Sequence, residues 1–265
     1  MKTALLLTTY NWPEALQLLL NSVSRLNPLP DELLIADDGS SNETKTVIDA
    51  FIEKKILPVS HIWQEDTGFR RSAILNKTIA SCDADYIIQT DGDCILHSRF
   101  VADHIKYRKQ GRYLHGSRVN FKKEMTAKIL KEKNVVASFF NAGIKKRMRA
   151  VHLPVLASLN KEEEYLSSKV RGCNLSYWRN DFIRVNGYNE DIEGWGREDS
   201  ELILRFLNNG IKGKRLKFAA IIFHLWHKIQ DKGNLTRNTE LEEKTRKLKI
   251  KKVSNGVSKY LKTQL

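Results

Sequence analysis

The sequence predicts an α/β fold, a doubly wound and mostly parallel sheet flanked by helices. Three observations point there. Short apolar runs alternate with stretches of helical period through the first hundred residues. The first apolar run, residues 4–8, is nearly unbroken, as expected of a parallel strand buried on both faces. Polar clusters at residues 8–11, 37–41 and 91–93 follow three of these runs, at the strand ends where a doubly wound sheet gathers its ligands.

Residues 4–8 read as the first strand. Residues 1–7 imitate a short signal peptide, but the apolar run stops at Thr8-Thr9-Tyr10-Asn11, with no small-residue cleavage site. Pro13-Glu14-Ala15 opens a helix whose Leu16, Leu19, Leu20 and Val23 share one face, and Pro28 and Pro30 close that segment. Residues 32–36 form the second strand. The turn and N-cap residues that follow precede a helix ending near Lys54. A strand over residues 59–63, a helix over 72–80 and a strand over 85–89 complete the alternation. Farther on, residues 121–149 read as a Lys-rich amphipathic helix, apolar at Met125, Ile129, Val136, Phe139 and Phe140. Its basic end, Lys145-Lys146-Arg147-Met148-Arg149, suits a membrane surface or an acceptor phosphate.

At 265 residues and 41% hydrophobic content, the chain can bury a sizeable core. No run reaches the roughly 18 apolar residues of a membrane span. Three cysteines without CxxC spacing argue against a disulfide framework or a zinc site, and a cytoplasmic protein is expected. The net charge of +14 is unevenly placed: +11 over residues 211–265 and +7 over 121–150, leaving the remainder at −4. Such basic segments attract polyanions, although a solvated helix face is the commonest fate of a charge run.

Asp91-Gly92-Asp93 carries the chemistry. In an extended segment residues i and i+2 point the same way, so Asp91 and Asp93 are expected to face a common point and hold Mg²⁺ or Mn²⁺ beside phosphate oxygens. A second cluster, Glu193-Gly194-Trp195-Gly196-Arg197-Glu198-Asp199, places a sugar-stacking indole next to carboxylates in a glycine-rich loop. One of those carboxylates is a candidate general base, while acids in a first helical turn are also favoured by the helix dipole. A third cluster ends an apolar run in His224 and His227, candidate nitrogen ligands that are otherwise ordinary core histidines.

Together, Leu7-Thr8-Thr9-Tyr10-Asn11, Ala36-Asp37-Asp38-Gly39-Ser40 and Asp91-Gly92-Asp93 resemble the family 2 glycosyltransferases of the GT-A fold. Gly172-Cys173-Asn174-Leu175-Ser176, Gly187-Tyr188-Asn189-Glu190 and the Trp195 loop resemble the C-terminal region shared by β-1,4-galactosyltransferases and chondroitin-type polymerases. The galactosyltransferases usually carry a second glycine where this chain has Arg197. By this resemblance Thr8, Tyr10, Asp38, Arg70, Arg71 and Asp91 hold the nucleotide-sugar, with Asp38 accepting from the uracil ring. Asp91 and Asp93 bind the metal, Asp93 the more directly, and His227 or His224 completes the shell. Asp199 is the catalytic base, and Trp195 and Glu198 hold the acceptor.

The resemblance implies a single GT-A catalytic domain over 1–235, with a nucleotide-binding half (1–100) and an acceptor-binding half (101–235) containing the basic insert near 121–150. Residues 236–265 form a basic helical tail. It further implies an inverting, metal-dependent transfer from a UDP-sugar to a saccharide or glycolipid acceptor, in bacterial surface polysaccharide or lipopolysaccharide synthesis. The tail adds the expectation of an anionic membrane surface as partner, with the enzyme peripheral on the inner face of the cytoplasmic membrane. A basic nucleic-acid-binding protein is the first alternative, but the aromatics are not interleaved with the basic runs, so no nucleic-acid partner is expected. A nucleotidyltransferase is the second, but it would carry a glycine-rich phosphate loop where this chain reads Thr8-Thr9-Tyr10-Asn11.

Overall fold

A computed structural model describes residues 1–133, 137–228 and 233–261. Its first half follows the expected alternation: β1 (Thr3–Thr9), α1 (Pro13–Val23), β2 (Glu32–Asp37), α2 (Asn42–Ile52), β3 (Val59–Trp63), α3 (Arg71–Ser81) and β4 (Tyr86–Asp91). These strands pair in parallel in the order β3-β2-β1-β4. β1 explains its own composition. Leu5 and Leu7 face one core with Leu16, Leu19 and Phe51 of α1 and α2, whereas Ala4 and Leu6 face a second core with Ile74, Leu75 and Ile79 of α3. A strand with helices on both sides has no polar face, which is why the run is continuous.

The second half extends this sheet. Its elements are β5 (Cys94–Leu96), α4 (Phe100–Tyr107), β6 (Arg112–His115), β7 (Ser117–Phe121), α5 (Lys123–Glu132), β8 (Ile144–Lys145), β9 (Glu162–Glu163), β10 (Asn174–Trp178), α6 (Arg179–Arg184), α7 (Glu198–Asn208), β11 (Lys212–Arg215), β12 (Ile221–His224) and α8 (Leu235–Lys247). The large sheet continues β4-β10-β6-β11-β9, with β10 antiparallel to both β4 and β6 and β11 parallel to β6. The antiparallel insertion of β10 brings its N-terminal end, the C-terminal ends of β6 and β11, and the C-terminal ends of β1 and β4 to one edge. A smaller sheet, β5-β12-β7-β8, stands beside it.

Two expectations require correction. Residues 121–149 are not one helix. Helix α5 stops at Lys133, which turns into the left-handed region at φ 54°. Gly143 then lies so close to Met125 that a Cβ there would sit 2.7 Å from its Cβ, and Ile144 and Lys145 pair back onto β7. Met125 and Ile129 keep their helical pattern within α5, but Phe139 and Phe140 lie beyond its end, and Val136 lies outside the described residues. The basic tail is likewise not a separate helix over 236–265. It is helical over Leu235–Lys247 and again, as one 3₁₀ turn, over Val257–Tyr260. Val257 is fully buried in the second core, and Thr245 donates to buried Glu201 at 2.9 Å. Val257 and Leu261 of this segment pack into the second core, whereas Leu248 is exposed. Residues 262–265 lie outside the described chain.

Candidate active site

β1 and β4 end side by side, with Thr8 opposite Asp91 in the parallel register. The chain then turns at Gly92, whose N–H donates to Thr8 O at 2.7 Å; a Cβ there would approach that oxygen to 2.8 Å. This close approach requires glycine, and it ends the extended geometry on which the shared direction of Asp91 and Asp93 depended. The two carboxylates accordingly meet different partners. Asp91 Oδ1 accepts from Arg71 Nη2 at 2.6 Å and Thr8 Oγ1 at 3.1 Å. Asp93 Oδ2 faces His224 Nε2 at 3.3 Å and His227 Nε2 at 3.2 Å.

Strand register explains the second grouping. β12 runs antiparallel to β5 with His224 opposite Cys94, and Leu225 N donates to Asp93 O at 2.9 Å, so the end of β12 delivers both imidazoles to the turn after β4. Burial opposes ionisation of Asp93, but His224 and His227 hold its carboxyl below the ordinary range. Burial lowers His224, and the contact with Asp93 raises His227. His227 Nδ1 lies 2.6 Å from the Lys228 carbonyl, which can only accept, so the proton belongs on Nδ1 and the Nε2 lone pair is directed at the site. Donor atoms of Asp93, His224 and His227 lie within 4.8 Å of one another. One carboxylate and two imidazoles fit Mn²⁺ better than Mg²⁺, which prefers an all-oxygen shell. Asp91 does not belong to this set.

Arg71, at the start of α3, joins the rest of the site. Nη1 donates to Thr8 Oγ1 at 2.6 Å and Nε lies 3.5 Å from Glu198 Oε1. Burial opposes its charge, but Asp91, Asp199 and Glu198 keep the guanidinium pKa well above its ordinary value. Glu198 is pushed up to about 7, by burial first and by Asp199 second, against the pull of Arg71. Burial also raises Asp199, with Arg71 opposing. Asp199 Oδ2 accepts from Gly172 N at 2.7 Å, while its Oδ1 is buried without a hydrogen-bond partner. A Cβ on Gly172 would lie 2.3 Å from that Oδ1, so the carboxylate sits where only glycine allows it.

The nucleotide end is built by β2. Asp38 is buried and accepts from Gln64 Nε2 at 2.5 Å and from Arg70 N at 2.8 Å. Burial raises its pKa, with these two bonds opposing. Tyr10, half exposed, donates to Asp66 at 2.8 Å, and the Arg70 guanidinium reaches Glu65 O at 3.3 Å. Trp195 lies on the far side, between Gly194 (φ 70°) and Gly196 (φ 100°). Asn238 of α8 clamps its loop, donating to Glu193 O at 2.9 Å and Gly196 O at 3.1 Å. Arg197 stands at φ 81°, a conformation that favours glycine, and its side chain is tied to Thr239 at 3.1 Å and Glu242 at 3.2 Å.

The structure thus gathers Thr8, Arg71, Asp91, Glu198 and Asp199 into one charged group and Asp93, His224 and His227 into another beside it. Tyr10, Asp38 and Arg70 line the β2 side. Sequence reasoning missed Gln64 and Asn238, which carry no motif. It passed over Gly172 as a seat for Asp199, although that glycine stood in the motif quoted above.

Comparison with known proteins supplies the context. Residues 5–160, more than half the chain, match the model described as glycosyl transferase family 2, and residues 154–228 match one described as the N-terminal domain of galactosyltransferase. The chain is 37% identical over 59 residues to human chondroitin sulfate N-acetylgalactosaminyltransferase 1, covering 22% of this chain and 11% of that protein. It is 22% identical over 232 residues to validoxylamine A glucosyltransferase of Streptomyces hygroscopicus subsp. limoneus, covering 78% of this chain and 48% of that protein. The chain therefore spans about half or less of the length of these relatives. The structure resembles that of GalNAc-T7 with UDP, GalNAc and Mn²⁺ at a TM-score of 0.61 and 15% identity, covering 91% of this chain and 48% of the other. That likeness establishes the fold, the GT-A type.

Proposed function

The chain belongs to glycosyl transferase family 2, and from that premise we propose that it is an inverting, metal-dependent glycosyltransferase. It moves a sugar from a nucleoside-diphosphate donor, a UDP-sugar, to a saccharide hydroxyl. One observation carries this reading: the donor atoms of Asp93, His224 and His227, within 4.8 Å of one another, lie at the strand edge that also presents Asp38, Asp91 and Asp199. A structurally similar protein supports the donor class, since the GalNAc-T7 structure holds UDP and Mn²⁺.

Asp38 accepts from the uracil ring, Tyr10 and Arg70 flank the nucleoside, and Thr8, Arg71 and Asp91 order the ribose and diphosphate. Asp93, His227 and His224 would hold Mn²⁺, which supplies positive charge to the leaving diphosphate. Arg71 adds fixed positive charge near the leaving group in a site shielded from water. Trp195 and Glu198 hold the acceptor. Asp199 Oδ1, which has no hydrogen-bond partner among the described residues, takes the proton from the acceptor hydroxyl. The hydroxyl oxygen forms the new bond to the anomeric carbon as the diphosphate departs from the opposite face, so a single displacement inverts configuration.

Residues 1–261 act as one catalytic unit, because the segment after 236 packs into the core. We place the enzyme in the cytoplasm, in bacterial surface polysaccharide or lipopolysaccharide synthesis, with the exposed basic surface against anionic lipid. Among the described residues no helix is long and apolar enough to cross a membrane. The decisive experiment is a panel of sugar nucleotides incubated with the protein and Mn²⁺, with water as stand-in acceptor. Nucleoside diphosphate release from one UDP-sugar, abolished by chelator, is expected. Absence of release and of binding for every donor would overturn the proposal.

A further inference from the structure

Beside Asp91 and Asp199, where the edge of the large sheet meets the smaller one, six cations gather. Arg118 begins β7 just after β6, Arg171 precedes β10, and Arg215 ends β11. Register brings these three together, because Arg215 pairs with His115 of β6 and Leu175 of β10 pairs with the same His115. Arg149 follows β8 and donates to Arg118 O at 3.2 Å. Lys146 and Lys169 are exposed beside them. Among the described residues none of the six has an acidic partner within 4.0 Å, whereas many other surface cations do. The Arg215 Nε is buried and has no hydrogen-bond partner.

The six feel one another. Arg149, then Lys169, Arg118 and Arg171, make protonation of Lys146 harder than usual. Burial, and then Arg215, Arg118 and Arg171, do the same to Arg149. Like charges held together unpaired are unfavourable in the free protein, and an anion bound among them relieves that repulsion.

Resting on the glycosyltransferase reading, we propose that Arg118, Lys146, Arg149, Lys169, Arg171 and Arg215 bind the negative groups of an anionic saccharide acceptor, one bearing carboxylate or phosphate. Topology separates most of this cluster from donor binding, although Arg118 also acts on Asp91 and His224 and so reaches the donor side. The nucleoside site lies over β1 and β2, on the other side of Asp91. Arg215 stands three strand positions beyond β4, about 14 Å from it at the usual strand spacing. A diphosphate at Asp91 and Asp93 does not extend there, whereas an acceptor whose hydroxyl meets Asp199 continues in that direction. Arg171 adjoins Gly172, the residue that donates to Asp199, so the cluster begins where the acceptor hydroxyl must lie.

The test is calorimetric binding to the full chain with saturating UDP and Mn²⁺. The probes are a glucuronate-containing disaccharide, a hexose 6-phosphate and neutral lactose. One or both anionic probes should bind at least tenfold more tightly than lactose, and the better of the two identifies the anion as carboxylate or phosphate. The preference should shrink in 1 M salt, where the Debye length falls to about 3 Å. Lys146→Gln with Lys169→Gln, both exposed and without side-chain hydrogen bonds, should weaken the anionic probe at least fivefold without lowering Tm. Arg149→Gln is the second variant. Lys54→Gln with Lys251→Gln, remote and equal in charge, should change nothing. Lactose binding as tightly as the anions, a cluster variant that binds like the parent, or an equal loss in the remote control would each overturn the proposal. So would UDP binding with no saccharide binding at all, which leaves the donor reading standing. Anion binding without UDP binding would do the reverse.

Discussion

Arg71 donates to Asp91 Oδ1 at 2.6 Å, so the first aspartate of the Asp91-Gly92-Asp93 turn faces a guanidinium while the second faces two imidazoles. The pair is therefore divided in labour. Asp91 stands with Thr8 and Arg71, and Asp93 with His224 and His227.

Mn²⁺ affinity should reflect that division. Asp93→Asn is expected to weaken Mn²⁺ binding by at least about tenfold, and His227→Ala comparably, with Asp91→Asn costing less. Electron paramagnetic resonance of free Mn²⁺ during titration measures this directly. A larger loss at Asp91 than at Asp93 would place the ion elsewhere.

Asp199→Asn should retain UDP binding and lose transfer by roughly 10²-fold or more in kcat, because Asn cannot accept a proton. Gly172→Ala should act through the same carboxylate, since its Cβ would lie 2.3 Å from Asp199 Oδ1. A kcat deficit with unchanged UDP affinity is expected in both variants. Near-parental kcat in Asp199→Asn would move the base to Glu198.

Transfer should rise with pH through the neutral range, because Glu198, held up at about 7, and Asp199 keep a proton between them below it. Glu198→Gln removes the neighbouring negative charge, so the rising limb should move to lower pH. Stability has the matching sign. A carboxyl raised from 4.5 to about 7 in the fold favours folding below pH 4.5 and loses that contribution as pH rises through 7. Glu198→Gln should therefore melt higher than the parent at pH 8, by an amount on the order of 3 kcal/mol, and gain little at pH 4. An identical melting difference at both pH values would show that Glu198 is not perturbed in this way.

Arg197 combines a left-handed backbone at φ 81° with a side chain fixed by Thr239 and Glu242. Arg197→Ala loses the clamp and keeps the backbone cost, whereas Arg197→Gly loses both. The glycine variant should be the more stable of the two by about 1 kcal/mol, measured by denaturant titration. Equal stabilities would mean that the backbone relaxes there without cost.

A chain ending at Asn238 should melt well below the full protein, having lost buried Val257 and the Thr245 to Glu201 bond; burying a valine side chain alone contributes about 1.5–3 kcal/mol. Membrane attachment is then measured on the intact chain by flotation on anionic and neutral vesicles. Lys251→Gln with Lys252→Gln should reduce flotation on anionic vesicles at low salt. Unchanged flotation would remove the tail from the membrane contact.

The alternation of largely apolar runs with amphipathic helices determined the parallel half of the fold from sequence alone, because a strand covered on both faces is apolar along most of its length and a helix must show its period. Residues 59–63 were legible as the strand Val59–Trp63 without adjustment. The same local signals placed Asp38 and Asp91 at strand ends and Glu198 and Asp199 at a helix start. Beyond Glu132 local pattern misled, because Ile144 and Lys145 pair with β7 instead of continuing α5, and the basic tail found partners in a core that its own sequence does not contain. Tertiary structure alone decided which carboxylate meets which cation. Asp93 meets His224 through the register of β12 on β5, Asp199 is seated by a glycine 27 residues earlier, and cations from four separate segments gather where the two sheets meet. Such contacts depend on strand order and register, which no local periodicity encodes.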